Sequence, residues 1–262
     1  MKIIAGVLAT ALLVSTSVSA KEPPLVKPVS PENYQLDERN KRLSQTYERM
    51  FRYYAKRNFS HTRTVRVLLS NYPQHVEAIM YTAFDRYPSS YQHLIRAAID
   101  AEPAFTRDIV TMALNMGVAD PADIVRVAVE AEPSYADDIV ATVSEQNDTH
   151  LENLIRVAVR AEPQMAQSIL TKVSNEQPGQ LELIVQTILE AAPALGNYIT
   201  TLVGDLVGKE TTDSTLTENT SRRQRIEQTL RGAHRAGISY DRLQAVAQNY
   251  GISDQELNQL IN

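Results

Sequence analysis

Arginine stands at Arg66, Arg96, Arg126 and Arg156, one every thirty residues. A guanidinium is a rigid fork of donors, so a row of them at fixed spacing suits carboxylates or backbone carbonyls of an extended partner. The competing use is local: each arginine pairs with Asp100, Glu130 or another nearby acid and solubilises an edge, at about 0–1 kcal/mol per exposed pair. A second concentration lies in Tyr47–Arg66, YERMFRYYAKRNFSHTRTVR. Arg49, Arg52, Lys56 and Arg57 alternate there with Tyr and Phe, a mixture suited to an anionic polymer or lipid head groups. The plainer alternative is an amphipathic helix with its rings in the core and its cations in water.

Other chemistry finds little support. None of His61, His75, His93, His150 and His234 lies three or four residues from another, so no helix face pairs two imidazoles for zinc. Asp137-Asp138 are adjacent and point about 100° apart on a helix, where they suit a helix start better than acid–base work. No nucleophile-elbow motif, phosphate-cradling glycine loop or spaced oxygen-ligand loop occurs. With no cysteine, disulfides and thiolate sites are excluded. The expectation is no catalytic residue, no metal and no cofactor.

What must position the arginines is a repeat. Pro73, Pro103, Pro133, Pro163 and Pro193 recur every thirty residues. Ile95–Phe105 (IRAAIDAEPAF), Val125–Tyr135 (VRVAVEAEPSY) and Ile155–Met165 (IRVAVRAEPQM) are near copies. A proline inside a helix costs about 3 kcal/mol, so five at one phase mark boundaries. Each unit reads as two helices: Asp120 caps the first, Pro121 opens it, Pro133 stops it and opens the second. Gly117 and Pro178-Gly179 mark turns between units. Ala98, Ala128 and Ala158 share one phase, and Ala101, Ala131, Ala161 and Ala191 another, where small side chains permit close helix approach. The expected fold is all-α: a right-handed superhelical array of about five 30-residue helical hairpins, whose neighbours cover one another's apolar faces.

The ends differ from the array. Residues 1–20 read as a signal peptide, with Lys2, the apolar run Ile3–Val14 and the small residues Val18-Ser19-Ala20; the run is shorter than the roughly 20 residues a bilayer requires. Residues 21–31 form a proline-rich linker, and 32–64 an N-terminal amphipathic cap whose helix starts at Ser30-Pro31 and carries a stripe of Leu36, Leu43, Tyr47, Met50 and Tyr54. The repeats occupy 65–208, a Thr/Ser-rich linker 209–221, and a three-helix cluster 222–262, with Ser239 and Ser253 as helix caps. Charge is polarised: residues 21–66 hold 11 Lys+Arg against 5 Asp+Glu, and residues 95–214 hold 7 against 19. The acidic body would repel phosphates, which argues against nucleic acid as a partner.

The helix–turn–helix units resemble, in architecture, the α-solenoid class of tetratricopeptide, Sel1-like and HEAT arrays, and are similar to Ala/Pro-rich repeats of uncharacterised exported proteins of Gram-negative bacteria. The resemblance implies binding rather than catalysis. The expectation is a non-enzymatic exported scaffold, periplasmic or secreted, that takes a protein or peptide along a helical-repeat groove through Arg66, Arg96, Arg126 and Arg156. The alternative is a cell-envelope or matrix module that holds an anionic polysaccharide through Arg49, Arg52, Lys56 and Arg57. No later stretch is apolar enough for a transmembrane span in the mature chain.

Overall fold

A computed structural model describes residues 34, 36–146, 150–207 and 216–261. The expected signal peptide, the linker 21–31, residues 147–149 and residues 208–215 lie outside them. Fourteen α-helices, and no strand, lie among the described residues. They are α1 (Glu38–Lys56), α2 (His61–Asn71), α3 (Val76–Arg86), α4 (Tyr91–Ala101), α5 (Thr106–Asn115), α6 (Pro121–Ala131), α7 (Ala136–Gln146), α8 (Leu151–Ala161), α9 (Ala166–Glu176), α10 (Leu181–Ala191), α11 (Ile199–Val207), α12 (Leu216–Arg235), α13 (Tyr240–Asn249) and α14 (Asp254–Ile261).

The period is fifteen residues, half the expected thirty. Helices α2 to α10 start fifteen residues apart, and all span eleven residues except α5, which spans ten. Pro73, Pro88, Pro103, Pro133, Pro163 and Pro178 each open a 3-10 turn between two of them, and Pro193 opens one between α10 and α11. The mechanism is steric. A proline ring disfavours helical geometry in the residue before it, and Tyr87, Glu102, Glu132 and Glu162 stand at φ between −135° and −144°. Proline itself is well placed at a first helical position, where no N–H is needed. The thirty-residue reading saw the junctions after even-numbered helices and took Pro178 as a separate turn. Pro88 and Pro178 occupy the same place after odd-numbered helices. The α5–α6 junction uses different chemistry: Gly117, at φ 56°, ends α5, with its N–H donating to Leu114 O and that of Val118 to Ala113 O. Asp120 then caps α6 by accepting from the Ala122 N–H at 2.9 Å.

An isolated eleven-residue helix is marginal in water, so packing must hold these. Four positions of each helix, the fourth, fifth, eighth and ninth, face inward. In α4 they are Leu94, Ile95, Ala98 and Ile99; in α6, Ile124, Val125, Ala128 and Val129; in α8, Leu154, Ile155, Ala158 and Val159, all fully buried. The expected alanine phase is thus a buried one, and Ala83 and Ala113 extend it to the odd-numbered helices, also at 0% exposure. Each helix packs on its sequence neighbour and on the next but one, so α2, α4, α6, α8 and α10 form one layer and α3, α5, α7 and α9 the other. Position alternation along the chain therefore becomes alternation between layers.

Both ends are covered. α1 lies on α3 and buries Tyr47 and Phe51, the latter absent from the expected stripe. It begins at Glu38, with Asp37 as its cap; Tyr34 and Leu36, which the sequence places in a helix from residue 31 onward, are not helical. At the other end α12 takes the next place in the even layer, on α10. It starts at Leu216, so the last part of the expected 209–221 linker is helix. A Cβ on Gly232 would stand 2.5 Å from Glu182 O, so this glycine is what lets α12 approach the α10 backbone. Arg231 and Arg235 reach the Glu182 carboxylate at 2.9 and 2.6 Å. Ser253 caps α14 in a reciprocal box: its N–H donates to Glu256 Oε2 at 2.9 Å and its Oγ accepts from the Glu256 N–H at 3.3 Å. No helix among the described residues is long and apolar enough to cross a membrane.

Candidate functional site

The arginine row lies at the sixth position of α2, α4, α6 and α8, on the outer side of the even layer. Helical geometry puts the tenth position of the next helix in that layer beside it. Arg66 donates to Asp100 at 2.7 Å, Arg96 to Glu130, and Arg156 to Glu190 at 3.3 Å. Arg126 breaks the pattern because the tenth position of α8 is Arg160; it turns back to Asp123 and to Glu130, the latter at 3.0 Å. The four guanidinium groups therefore form a line of exposed ion pairs, with side-chain exposures from 28% at Arg156 to 53% at Arg66. Pairs this exposed contribute about 0–1 kcal/mol each and exchange one carboxylate for another at little cost.

One node in this row is less exposed. Asp123, in the first turn of α6, accepts from the Tyr91 hydroxyl, from Gln92 Nε2 at 3.3 Å and from Arg126 Nε at 3.0 Å. Burial raises the carboxyl, and the hydrogen bonds from Tyr91 and Arg126 outweigh it, so Asp123 sits below the ordinary aspartate value. Burial and the hydrogen bond to Asp123 push the Tyr91 hydroxyl the other way, above its usual value.

The basic head lies at the opposite extreme of the array from α12. Of its expected residues, Arg52 pairs with Glu48 at 3.2 Å. Arg49 bonds only the Thr46 hydroxyl, at 3.1 Å, and Arg49, Lys56 and Arg57 have no carboxylate partner among the described residues. Rings fill the space between α1, α2 and α3. Tyr47 meets His75 Nδ1 at 2.6 Å and Tyr72 at a centroid distance of 6.5 Å. Burial, with Tyr72 beside it, pushes the Tyr47 hydroxyl up to about 12. Phe51 packs on Tyr87, which stacks on His61.

A second run of rings crosses the α1–α2 turn. Tyr53 and Tyr54 meet edge-on at 5.6 Å, and Tyr54 stacks on Phe59 at 5.2 Å. Arg57 lies over the Tyr53 ring, 4.6 Å from its centroid, and Arg63 over Phe59 at 4.0 Å. The turn that joins them rests on Asn58, at φ 60°, which ends α1 while the Phe59 N–H donates to Tyr54 O. Asparagine tolerates this left-handed geometry better than most residues. Ser60 then caps α2 by accepting from the Arg63 N–H. Arg63, Tyr53 and Phe59 lie inside the basic and aromatic stretch seen in the sequence, but the contacts that unite them depend on the turn geometry.

The acidic pair of α7 divides its work. Asp138 meets Lys172 Nζ at 2.9 Å, a hydrogen bond that raises the lysine, while Asp137 accepts from the Ser168 hydroxyl at 2.8 Å. Asp137, Ser168 and Lys172 line a shallow open depression between α7 and α9. No group of three His, Asp or Glu among the described residues is arranged to hold a metal ion. Comparison with protein-family models, with curated proteins and with solved structures finds no match for this chain.

Proposed function

We propose that the chain is a non-catalytic, exported scaffold, periplasmic or secreted, that binds a protein or peptide partner along a right-handed helical-repeat groove. The observation that carries this is the periodic face of the even layer. Arg66, Arg96, Arg126 and Arg156 recur once in each of α2, α4, α6 and α8, each in an exposed and weakly held ion pair. Neighbouring helices of a layer are about 8–10 Å apart, close to one three-residue turn of a polyproline II chain at about 3.1 Å per residue, which returns every third side chain to the same face. An extended peptide with an acidic side chain every third residue would find a guanidinium fork at each step. The resident carboxylates hold the forks in place until such a partner displaces them. Selection of displayed peptides on the mature chain tests this. Enriched sequences with acids at a spacing of three, whose binding weakens in Arg96→Ala and Arg126→Ala without a fall in melting temperature, support it. Peptides that bind the double variant unchanged would remove the arginine row from the interface.

A second reading, an envelope or matrix module that holds an anionic polysaccharide, draws on the head. Arg49, Lys56 and Arg57 are exposed, and no carboxylate among the described residues neutralises them. Polymer binding through these cations falls steeply with ionic strength. Retention by an anionic-polymer matrix that is unchanged on alanine substitution at Arg49, Arg52, Lys56 and Arg57 would contradict it.

A further inference from the structure

We propose that the α1–α2 turn is a built seat for an acidic polysaccharide, formed by Arg57, Tyr53, Tyr54, Phe59 and Arg63. This rests on the second reading above and moves its centre from the exposed face of α1 to the turn. In sequence along the surface the groups run guanidinium, ring, ring, ring, guanidinium, each touching the next. Neither arginine has a carboxylate partner among the described residues, in contrast to the even-layer row, where every arginine is paired. A guanidinium that lies over a ring keeps its N–H donors in its own plane, pointed away from the ring and open to an oxyanion. The ring holds it in place without neutralising it.

The rings select the kind of anion. An aromatic face carries the negative lobe of the ring quadrupole and attracts the weakly positive C–H face of a pyranose. Tyr53 is half-exposed, and the large apolar side chains exposed among the described residues are Tyr53, Tyr72 and Tyr198. All three are tyrosines, whose hydroxyls suit a ligand rich in hydroxyl groups. A bilayer surface is better served by protruding Phe, Leu or Trp. Tyr53 is the exposed ring of the three, with Tyr54 and Phe59 stacked on each other beside it, so the seat offers one sugar face between two cations, which is the chemistry of a polyuronate.

Calorimetric titration of the mature chain with polygalacturonate oligomers tests the assignment, with dextran as a neutral control and phosphatidylglycerol vesicles as a separate anion source. The expected result is salt-sensitive binding to polygalacturonate and none to dextran. Tyr53→Ala and Arg63→Ala each weaken it by about fivefold or more, since one stacked or cation–ring contact is worth that much. Arg57→Lys weakens it as well, because an ammonium keeps the charge and loses the planar fork, and this variant leaves the fold intact if the alanine variants do not. Arg107→Ala, an exposed arginine on the body that pairs with Glu145, changes it less than about twofold, as a surface cation outside the seat should. Binding that survives at Tyr53 and Arg63 but is lost at Arg49 and Lys56 overturns the seat and leaves the second reading standing. No polygalacturonate binding at all overturns both. Vesicle binding through the same five residues, with none to the oligomers, assigns the surface to lipid and overturns the sugar.

Discussion

Asp123 shows how a single side chain ties the repeat together. It joins the start of α4, through Tyr91 and Gln92, to Arg126 on its own helix. Its folded value lies below the ordinary aspartate value of 3.8, so the carboxylate contributes stability that is complete above pH 4 and is lost as pH falls through the folded value. Tyr91→Phe removes one of the donors that depress it. The expected outcome is a loss of about 1 kcal/mol near neutral pH and a smaller loss of stability on acidification below pH 4, read from denaturant melts across pH 2–6. Equal acid sensitivity in both proteins would show that Tyr91 does not hold the carboxylate. Tyr47 behaves in the opposite sense. With its hydroxyl at about 12 against an ordinary 10.0, the folded state loses stability as pH rises above 10, and Tyr47→Phe should flatten that decline. Much at this scale was open to sequence reasoning, since Arg66, Arg96, Arg126 and Arg156 and two of their acids, Asp100 and Glu130, declare themselves by spacing. Those two acids each stand four residues after an arginine of the row, whereas Glu190 follows Gln186, so its pairing with Arg156 and the exception at Arg160 are legible only once the layer spacing is known.

At the scale of the element, the fifteen-residue period explains why the sequence looked like a thirty-residue one. Proline opens a 3-10 turn at all five junctions after even-numbered helices and at only two of those after α3, α5, α7 and α9, Pro121 standing instead at the first position of α6. Gly117 and Asp120 do the same work after α5 with a left-handed cap and an N-cap, so the common function is hidden by different residue types. The inward quartet is the more regular signal. It holds alanine at the eighth position in α3, α4, α5, α6 and α8, and each of these alanines is fully buried. Ala128→Leu should cost about 1–3 kcal/mol through overpacking, seen as a lower denaturant midpoint, whereas Ala131→Leu, at a half-buried position beside the turn, should cost less. Equal costs would mean that the two alanine phases are exchanged. Gly232 gives a parallel case on α12. Gly232→Ala forces its new methyl towards the α10 backbone at Glu182, so a rigid neighbour must move. It should expose Ile184, Val185 and Leu189 of α10 to solvent and raise amide exchange there, with little change in α2–α4.

Across the described residues a single core runs from Tyr47 to Leu257, and its main links join neighbours in the stack. Such an array is stabilised by adjacent interfaces, so its ends need covers. α1 and α12 supply them from the two ends of the chain, and both differ from the repeats in length and in chemistry. The amphipathic cover at the head was legible from the Tyr47, Met50 and Tyr54 stripe. The docking of α12 was legible only in part: Ile226, Leu230 and Ala233 are buried at helical spacing, whereas the close approach at Gly232 and the Glu182 pairs follow no sequence pattern. Polarised charge follows the same axis: the aromatic and basic turn lies at the head, and the ion-paired arginine row lies along the body.

The stack itself is tested most directly by distances between spin labels, which the absence of native cysteine makes unambiguous. Labels on cysteines placed at Arg66 and Arg126 span two steps of the even layer, and at Arg66 and Arg156 three steps, so their separations should be about 18 Å and about 27 Å. Narrow distributions that lengthen by one helix spacing for every thirty residues are the expected result. Separations that fail to grow with each unit would contradict the two-layer array and, with it, any binding face built on its period.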